Sequence, residues 1–316
     1  MFKSKTVSFM DIVKVLSDEL GIKEKQIEKT ISLIDEGNTI PFIARYRKEV
    51  TGSLDDTVLR TLSERLNYLR GFDKRREEIT SLIDGQGKLT PEITAALDKA
   101  KTLTELEDIY RPYKQHRKTR ASAAREKGLE PLAALLLEQK ENYGKTIEEI
   151  AKEYIDEEKE VNSAEDALAG ARDIIAEDIS DSADYRREIR AITWRAGSIT
   201  TKQIKEGSSP YENYYDYTEK LSSIPNHRIL AVNRAEKEEY IRVSVTVEPS
   251  LILNFLADKI LGSPKSSAYN HVISAITDSY ERLIAPSIER ELRSELFDTA
   301  SEGAIKNFSE NLRNLI

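Results

Sequence analysis

The sequence contains no cysteine, which excludes disulfide bonds and thiolate-bound metals from the fold. It has three histidines, His116, His227 and His271, and none stands at metal-ligand spacing from a second histidine. Zinc and iron sites in proteins usually combine several such ligands close together. We therefore predict that the chain binds no metal ion.

Glycine and aromatic residues are also scarce. There are 13 glycines in 316 residues, and aromatic residues make up 7% of the chain. This composition argues against a β-sandwich or barrel and against long disordered linkers. Charged residues make up 33%, above the usual quarter, which is typical of helices with a large solvated surface. We predict a mainly α fold, a scaffold of many helices.

Long apolar runs are missing as well. No stretch of about 18 apolar residues occurs, so no transmembrane helix is predicted. The first ten residues, MFKSKTVSFM, are mixed polar and lack the pattern of a signal peptide. Together with the absence of cysteine, these features predict a cytoplasmic protein that does not bind membranes.

The motifs of common enzymes are absent. The chain has no phosphate-binding loop, no dinucleotide-binding fingerprint and no nucleophile elbow, and Gly85 and Gly87 only mark a turn. Carboxylates number 56, so close pairs of them arise by chance and mark solvated faces. We predict that the chain is not an enzyme and needs no cofactor.

Most of the chain shows the apolar period of amphipathic helices. One long helix is predicted from about Leu54 to Ile83, with Val58, Leu62, Leu66 and Leu69 along its apolar face. Gly128 and Pro131 separate two shorter predicted helices, and a bend of this kind resembles a helix-turn-helix. The residues around Gly128 therefore allow such a bend.

One segment has a different period. Apolar Ile241, Val243, Val245 and Val247 alternate with polar residues, as in a strand that buries one face. We predict that 228–232 is the partner strand and that the charged segment 234–239 is the loop between them. The fold class is thus mainly α with one short antiparallel β-hairpin.

These patterns suggest three regions along the chain. Residues 1–200 form a helical N-terminal region, 201–250 a tyrosine-rich connector with the β-hairpin, and 251–316 a set of C-terminal helices. The last helix has an apolar stripe of Phe308, Leu312 and Leu315. Such a stripe needs a neighbour, so we expect it either to pack on earlier helices or to meet further domains of a longer protein.

A basic strip stands out against the acidic composition. Between Arg111 and Lys127 there are seven basic residues and one acid, Glu126, in a chain of net charge −8. Positive side chains in such a segment suit contact with phosphates. The predicted nucleic-acid-binding residues of this basic strip are Arg111, Lys114, Arg117, Lys118, Arg120 and Arg125. The alternative is a solvated segment whose cations pair with acidic surface elsewhere.

A second, smaller basic cluster follows the apolar segment IPFIA. It contains Arg45, Arg47 and Lys48, with Tyr46 between them, and we add these three cations to the predicted nucleic-acid contacts. The alternative here is that they form ion pairs with Glu49 and Asp55.

Four stretches of the chain together resemble one known family, Tex, the bacterial transcription accessory proteins. They are GNTIPFIARYRKEVTGSLDD, LEDIYRPYKQHRKTRASAAREKGLEPLA, IPNHRILAVNRAEKE and RLIAPSIERELRSELFDTASEGAIKNFSENLRNLI. The stretches occur in order and extend over nearly the whole chain, so the resemblance is to the N-terminal half of that family.

The resemblance implies a helical scaffold with a helix-turn-helix-like region within residues 1–200. It also implies that the C-terminal helices, residues 251–316, lead into an RNase-H-like domain. Members of the family continue into an RNase-H-like domain, helix-hairpin-helix elements and an OB-fold RNA-binding domain. They bind nucleic acid and act with the transcription machinery. Nucleic acid, RNA or DNA, and the transcription machinery are therefore the partners that the resemblance implies for this chain.

Three hypotheses for the function remain at this point. The first is a non-enzymatic scaffold whose basic strip assists RNA or DNA contact. The second is a protein–protein interaction module that supports further domains without binding nucleic acid. The third is sequence-specific DNA binding by the region around Gly128, which we rank last because the segment LEPLAALLLEQK is too apolar for a recognition helix.

Overall fold

The structure, a computed structural model, describes residues 11–114, 119–205, 207 and 209–315, with side chains omitted at 302 and 304–315. The fold is mainly α, as the composition and periodicity predict. The chain divides into two compact units, residues 1–114 and 115–316. No helix within the described ranges is both long enough and apolar enough to cross a lipid bilayer.

The first unit is entirely helical in its described part. Its helices are α1 (Ile12–Leu20), α2 (Glu24–Asp35), α3 (Ile40–Tyr46), α4 (Lys48–Thr51), α5 (Asp56–Asp84), α6 (Pro91–Lys99) and α7 (Leu103–Tyr110). A short 3-10 turn, Arg111–Tyr113, follows α7.

The long helix α5 organises this unit, and its prediction from the sequence is confirmed. Asp55 caps its first turn by accepting a hydrogen bond from the backbone N–H of Val58 at 2.8 Å. Leu62, Leu66 and Leu69 are at most 3% exposed and pack against α1 and α2. Their spacing of three and four residues places them on one face of the helix, which explains the packing.

The second unit contains helices and one small sheet. Its first helices are α8 (Arg120–Glu126), α9 (Glu130–Glu138), α10 (Ile147–Lys152), α11 (Ala164–Asp181) and α12 (Ala183–Ala196). Then follow β1 (Ser198–Gln203), β2 (Thr218–Lys220), α13 (Asn226–Lys237), β3 (Ile241–Thr246), α14 (Pro249–Ile260), α15 (Tyr269–Asp278), a π-helical segment (Ser279–Ile284) and α16 (Ala285–Leu315).

Helix α11 lies at the centre of the second unit and contacts α8, α9, α10 and α15. The bend predicted around Gly128 is present between α8 and α9, and its φ of +82° favours glycine. Gly170 of α11 faces this bend, since a Cβ there would lie 2.4 Å from Cδ1 of Leu129. The absence of a side chain at Gly170 therefore lets the α8–α9 bend approach α11 closely.

The sheet differs from the predicted hairpin. The strand order is β2-β1-β3, and β1 pairs antiparallel with both neighbours. The strand predicted around Val243 is present as β3, but its partner is β1, with Ser198 opposite Thr246 and Gln203 opposite Ile241. The prediction that 228–232 forms the partner strand is wrong, because these residues belong to α13.

A helix is favoured in that segment because its apolar residues follow the helical period. Ile229, Val232 and Ala235 are 5% exposed or less and recur every third residue, so one face of α13 packs against α16 and β3. Pro225 precedes the first turn, where its missing N–H removes no intrahelical bond. The predicted charged loop 234–239 is largely the last turn of the same helix.

The predicted region boundaries near residues 200 and 250 both lie within the second unit. The boundary near residue 200 falls inside β1. Because β1 pairs with β3, the residues before and after the segment 204–240 belong to the same sheet. The division into three regions stays a prediction. The side chains of Phe308, Leu312 and Leu315, which carry the predicted apolar stripe, lie outside those that the structure describes.

Candidate nucleic-acid interface

The first candidate surface is formed by α3 and the start of α4. Arg45, Arg47 and Lys48 are exposed there, and the rings of Phe42 and Tyr46 lie 5.2 Å apart between centroids. Both rings are accessible, with Phe42 36% and Tyr46 62% exposed. We call these five residues the α3–α4 patch.

The cations of the α3–α4 patch are not neutralised locally. Within the described parts of the chain, Arg45, Arg47 and Lys48 form no ion pair. The expected alternative, pairing with Glu49 and Asp55, is not observed, and Asp55 instead caps α5. The guanidinium carbon of Arg47 lies 5.1 Å from the centroid of the Phe42 ring, so the guanidinium has an aromatic neighbour.

The same unit contains a second arginine beside an aromatic ring, Arg65 with Tyr68, but this arginine has a carboxylate partner. The guanidinium of Arg65 lies 4.7 Å from the ring centroid of Tyr68, but it also donates two hydrogen bonds of 2.7 Å to Glu19. These bonds raise the pKa of Arg65 and lower that of Glu19, because each charge is stabilised by the other. The arginine beside Tyr68 is thus neutralised, whereas Arg47 is available to an external anion.

The basic strip is divided between the two units. Arg111 and Lys114 belong to the first unit, where Lys114 is exposed and Arg111 is half-buried in the 3-10 turn. Gln86 holds this turn by donating a hydrogen bond of 2.8 Å to the carbonyl oxygen of Tyr113. Arg117 and Lys118 lie outside the described residues, so their predicted role stays a prediction.

Among the described residues of the strip in the second unit, Arg120 is an exposed cation. It lies at the start of α8, which is capped by reciprocal hydrogen bonds between Thr119 and Ser122. Within the described part of the chain, Arg120 forms no ion pair. The pKa of Asp278 is lowered chiefly by a hydrogen bond from Arg282, and the positive charge of Arg120 adds to this effect. The charge of Arg120 is therefore partly offset by the carboxylate of Asp278.

Arg125 is engaged within the molecule. Its Nη1 donates to Oε1 of Glu177 at 2.7 Å and its Nη2 donates to Oδ1 of Asp178 at 2.6 Å. The Arg125 side chain is 31% exposed and joins α8 to α11. A guanidinium held by two carboxylates must give up these bonds before it can contact a phosphate. Arg125 therefore contributes to packing, and Arg120 is the better placed of the two for an external anion.

The helix after the Gly128 bend does not have the surface of a recognition helix. Leu132, Ala133 and Leu136 of α9 are at most 3% exposed and belong to the core around α11. Its exposed residues are Glu130, Pro131, Ala134, Leu137 and Glu138. This set has no arginine, lysine, asparagine or glutamine, the side chains that contact base edges most often. Nothing in the described α9 favours sequence-specific DNA contact.

The structure adds a surface that was not predicted. One face of the sheet carries Ser198, Thr200 and Lys202 of β1, Thr218 and Lys220 of β2, and Arg242, Ser244 and Thr246 of β3. These residues share a face because residues directly opposite in an antiparallel pair point the same way. The alternation in β3 was visible in the sequence, but only the pairing shows that three polar strand faces coincide.

Two family models match the chain. One is the Tex-like protein N-terminal domain, over residues 10–84, and the other is the Tex central region-like model, over residues 142–308. Together these matches cover parts of both compact units.

Curated relatives are similar over almost the whole chain. An uncharacterized protein, YdcI of Bacillus subtilis, is 44% identical over 307 residues, which are 95% of this chain and 42% of the relative. The transcriptional accessory protein Tex of Neisseria gonorrhoeae is 35% identical, with 97% of this chain and 41% of the relative covered. The human S1 RNA-binding domain-containing protein 1 is 31% identical, with 97% of this chain and 32% of the relative covered.

This chain thus spans less than half the length of each of these relatives. The resemblance that the sequence suggested is confirmed by the models and the relatives alike. The chain belongs to the Tex family, and it corresponds to the N-terminal domain and central region of that family.

Proposed function

We propose that this chain is a non-enzymatic, cytoplasmic scaffold of a nucleic-acid-binding transcription accessory protein. The α3–α4 patch and the exposed part of the basic strip each assist contact with RNA or DNA. Relatives named for a transcriptional accessory role and for an RNA-binding domain support the class of partner. Further domains of the full protein and the transcription machinery are the other proposed partners.

One observation carries this proposal. Three cations of the α3–α4 patch, Arg45, Arg47 and Lys48, are exposed beside two exposed rings and, in the described structure, have no carboxylate partner. Single-stranded nucleic acid is bound by this combination, because phosphates are neutralised by cations while bases stack on aromatic rings. A surface used only for solubility does not need the rings.

Because the rest of the chain is acidic, binding of a nucleic acid should depend strongly on the α3–α4 patch. With a net charge of −8, the protein as a whole repels a polyanion, so binding depends on the few places where cations are concentrated. Replacing the cations of the α3–α4 patch should therefore strongly reduce the affinity for nucleic acid, whereas replacing lysines elsewhere should not.

The test is a charge reversal in the α3–α4 patch. We compare a triple variant, Arg45→Glu, Arg47→Glu and Lys48→Glu, with a control of identical charge change, Lys25→Glu, Lys29→Glu and Lys74→Glu. The control lysines are exposed on helices α2 and α5 of the same unit. Affinity for fluorescent single-stranded RNA and duplex DNA is measured by anisotropy between about 50 and 200 mM salt.

The patch variant should bind RNA at least tenfold more weakly, and its slope of log affinity against log salt should fall by about 2, at roughly 0.7 per lost phosphate contact. The control should stay close to the unaltered protein. Equal behaviour of the two variants would remove the patch from nucleic-acid binding and favour a protein–protein interaction module. A third variant, Arg117→Glu, Lys118→Glu and Arg120→Glu, tests the basic strip in the same way.

A further inference from the structure

The three-stranded sheet has a face on which every side chain is either a hydroxyl or a cation. Five residues carry hydroxyls and three, Lys202, Lys220 and Arg242, carry positive charge. In a chain where acidic residues outnumber basic ones, 56 to 48, eight adjacent positions without a carboxylate form an unusual surface. The acidic residue of β2, Glu219, lies on the opposite face, where it accepts a hydrogen bond from Arg228 at 3.0 Å.

The cations of this face are accessible. Lys202, Lys220 and Arg242 are all exposed, and in the part of the chain that the structure describes none of them forms an ion pair. Lys220 donates a hydrogen bond of 3.2 Å to the carbonyl oxygen of Ala196, which fixes its position without neutralising it. Lys202 stands directly opposite Arg242 across β1 and β3, so two positive charges are held side by side. Like charges directly opposite are unfavourable in a sheet, and an anion would relieve this repulsion.

The outer edge of β3 is closed, which restricts how a partner can approach. The N–H of Val243 donates to Glu236 at 3.2 Å, the N–H of Val245 donates to Glu289 at 3.0 Å, and Arg293 donates to the carbonyl oxygen of Val243 at 3.2 Å. An extended peptide that adds a strand at this edge would have to displace these side chains. On the β3 side of the sheet, a partner can therefore reach the open face more easily than the edge.

The chemistry of the face favours a nucleic-acid backbone over a protein surface. Protein interfaces depend on apolar and aromatic anchors at their centre, and none of these eight side chains is apolar. Phosphates and sugars, in contrast, are contacted by lysine, arginine, serine and threonine side chains. Serine and threonine can also donate to and accept from a ribose 2′-hydroxyl, which distinguishes RNA from DNA.

We propose that this sheet face binds the sugar-phosphate backbone of single-stranded RNA. Lys202 and Arg242 contact phosphates at one end of the face and Lys220 contacts a phosphate at the other. The two ends are four residues apart along β1, or roughly 13 Å, which corresponds to about four nucleotides of a stacked strand. Between them, Thr200 and Ser244, whose hydroxyl oxygens are 2.9 Å apart, meet the 2′-hydroxyls.

The site is separate from the α3–α4 patch and is tested separately. The first variant is Lys202→Glu, Lys220→Glu and Arg242→Glu, and the matched control is again Lys25→Glu, Lys29→Glu and Lys74→Glu. All six positions are exposed, so circular dichroism and thermal unfolding should show a retained fold. The probes are a fluorescein-labelled oligouridylate RNA and the oligodeoxyuridylate DNA of the same length, which differs from it only in the 2′-hydroxyls.

The sheet variant should bind oligouridylate at least tenfold more weakly than the control, with a salt slope lower by about 2. A second variant, Thr200→Val with Ser244→Ala, should keep the salt slope but lose the preference for the RNA over the DNA probe. The inference is overturned if the sheet variant binds the RNA like the control or if the unaltered chain does not bind it. It is also overturned if an acidic peptide, an oligoglutamate of the same length, competes as well as the RNA.

Failure of this inference can be distinguished from failure of the proposed function. If the α3–α4 patch variant lost RNA binding and the sheet variant bound RNA like the unaltered chain, only the sheet site would be overturned. The reverse result would overturn the role of the α3–α4 patch and leave the sheet site in place. Losses in both variants would support two sites on the same chain.

Discussion

Arg186 and Glu291 form an ion pair between α12 and α16, in which the arginine is fully buried and the glutamate side chain is 31% exposed. Nη2 of Arg186 donates to Oε1 of Glu291 at 2.5 Å, and the Arg186 side chain is completely buried. Glu291 also accepts a hydrogen bond of 2.6 Å from Arg190, and Ser287 donates to it at 2.9 Å. One carboxylate of α16 thus accepts hydrogen bonds from two arginines of α12, which helps a helix rich in arginine to face the core.

Replacing Glu291 by alanine should strongly destabilise the second unit. The change removes the carboxylate that accepts hydrogen bonds from both Arg186 and Arg190, and the loss of hydrogen bonds between charged groups costs about 1.5–3 kcal/mol. The measurement is the urea midpoint, with the slope of the transition as a check on two-state unfolding.

The matched control is Asp184→Ala. Asp184 also accepts a hydrogen bond from an arginine of α12, Arg187, at 2.8 Å, but these two side chains are 79% and 62% exposed. Its loss should change stability by about 0.5 kcal/mol or less. Similar midpoints for the two variants would show that burial does not decide the strength of the pair.

The stability of this unit should depend on pH through Glu291. Burial raises the pKa of its carboxyl, but the hydrogen bond from Arg190 and the charges of Arg186 and Arg190 outweigh burial, so the pKa lies below its usual value of 4.5. A group with a lowered pKa in the folded state stabilises the fold above its unfolded-state pKa. That contribution is lost as the pH falls through the folded-state pKa.

We therefore expect the free energy of unfolding to decrease as the pH is lowered from about 5 toward 3. In Glu291→Gln the decrease should be smaller, because the variant has no carboxyl to protonate at this position. Urea midpoints of both proteins at several pH values give the comparison. Parallel curves over this range would show that the carboxyl of Glu291 titrates normally.

Two arginines of α8 should behave in opposite ways. Arg120→Ala should weaken RNA binding several-fold and lower the salt slope by about 0.7, with little effect on stability, because its side chain is exposed and has no ion pair in the described structure. Arg125→Ala should leave binding nearly unchanged but destabilise the second unit by roughly 1.5–3 kcal/mol, since it loses charged hydrogen bonds to Glu177 and Asp178.

Anisotropy and urea unfolding of the same two samples decide between these roles. If Arg125→Ala lost more RNA affinity than Arg120→Ala at equal stability, the ion pairs of Arg125 would not prevent it from contacting phosphates.

An exposed ring of the α3–α4 patch should contribute to binding without changing its salt dependence. Tyr46→Ala should weaken binding of single-stranded RNA by about 1–3 kcal/mol if one base stacks on the ring, with the same salt slope, because no charge is removed. Tyr68→Ala is the control, since its neighbour Arg65 is neutralised by Glu19. Equal losses in both variants would point to a general effect of surface tyrosines rather than to the patch.

The long helices could be predicted from the sequence because they depend on residues that are close together along the chain. The leucines from Leu54 to Leu69 repeat at the helical period, and the backbone hydrogen bonds of α5 join residues only four positions apart. The strand β3 was predicted for the same reason, from the alternation of apolar and polar residues. Membership of the Tex family was also visible in four stretches of sequence.

The partner of β3 could not be predicted in this way. Its ladder joins β1 at residues 198–203 to β3 at residues 241–246, so the pairing depends on contacts about 40 residues apart. No local period encodes such a contact, and the nearer segment 228–232 was apolar enough to be mistaken for a strand. Its helical form is favoured because a helix satisfies its own backbone bonds and packs one face against α16.

By itself, the sequence determined the helical class, the family and the places where positive charge is concentrated, because composition and short-range periodicity carry that information. Only the tertiary structure decided which cations remain available. It places Arg125 against two carboxylates of α11, leaves Arg47 beside a ring, and gathers three distant strands into one hydroxyl- and cation-bearing face. The physical reason is that an ion pair, unlike a helix, depends on which groups the fold brings within a few ångströms of each other.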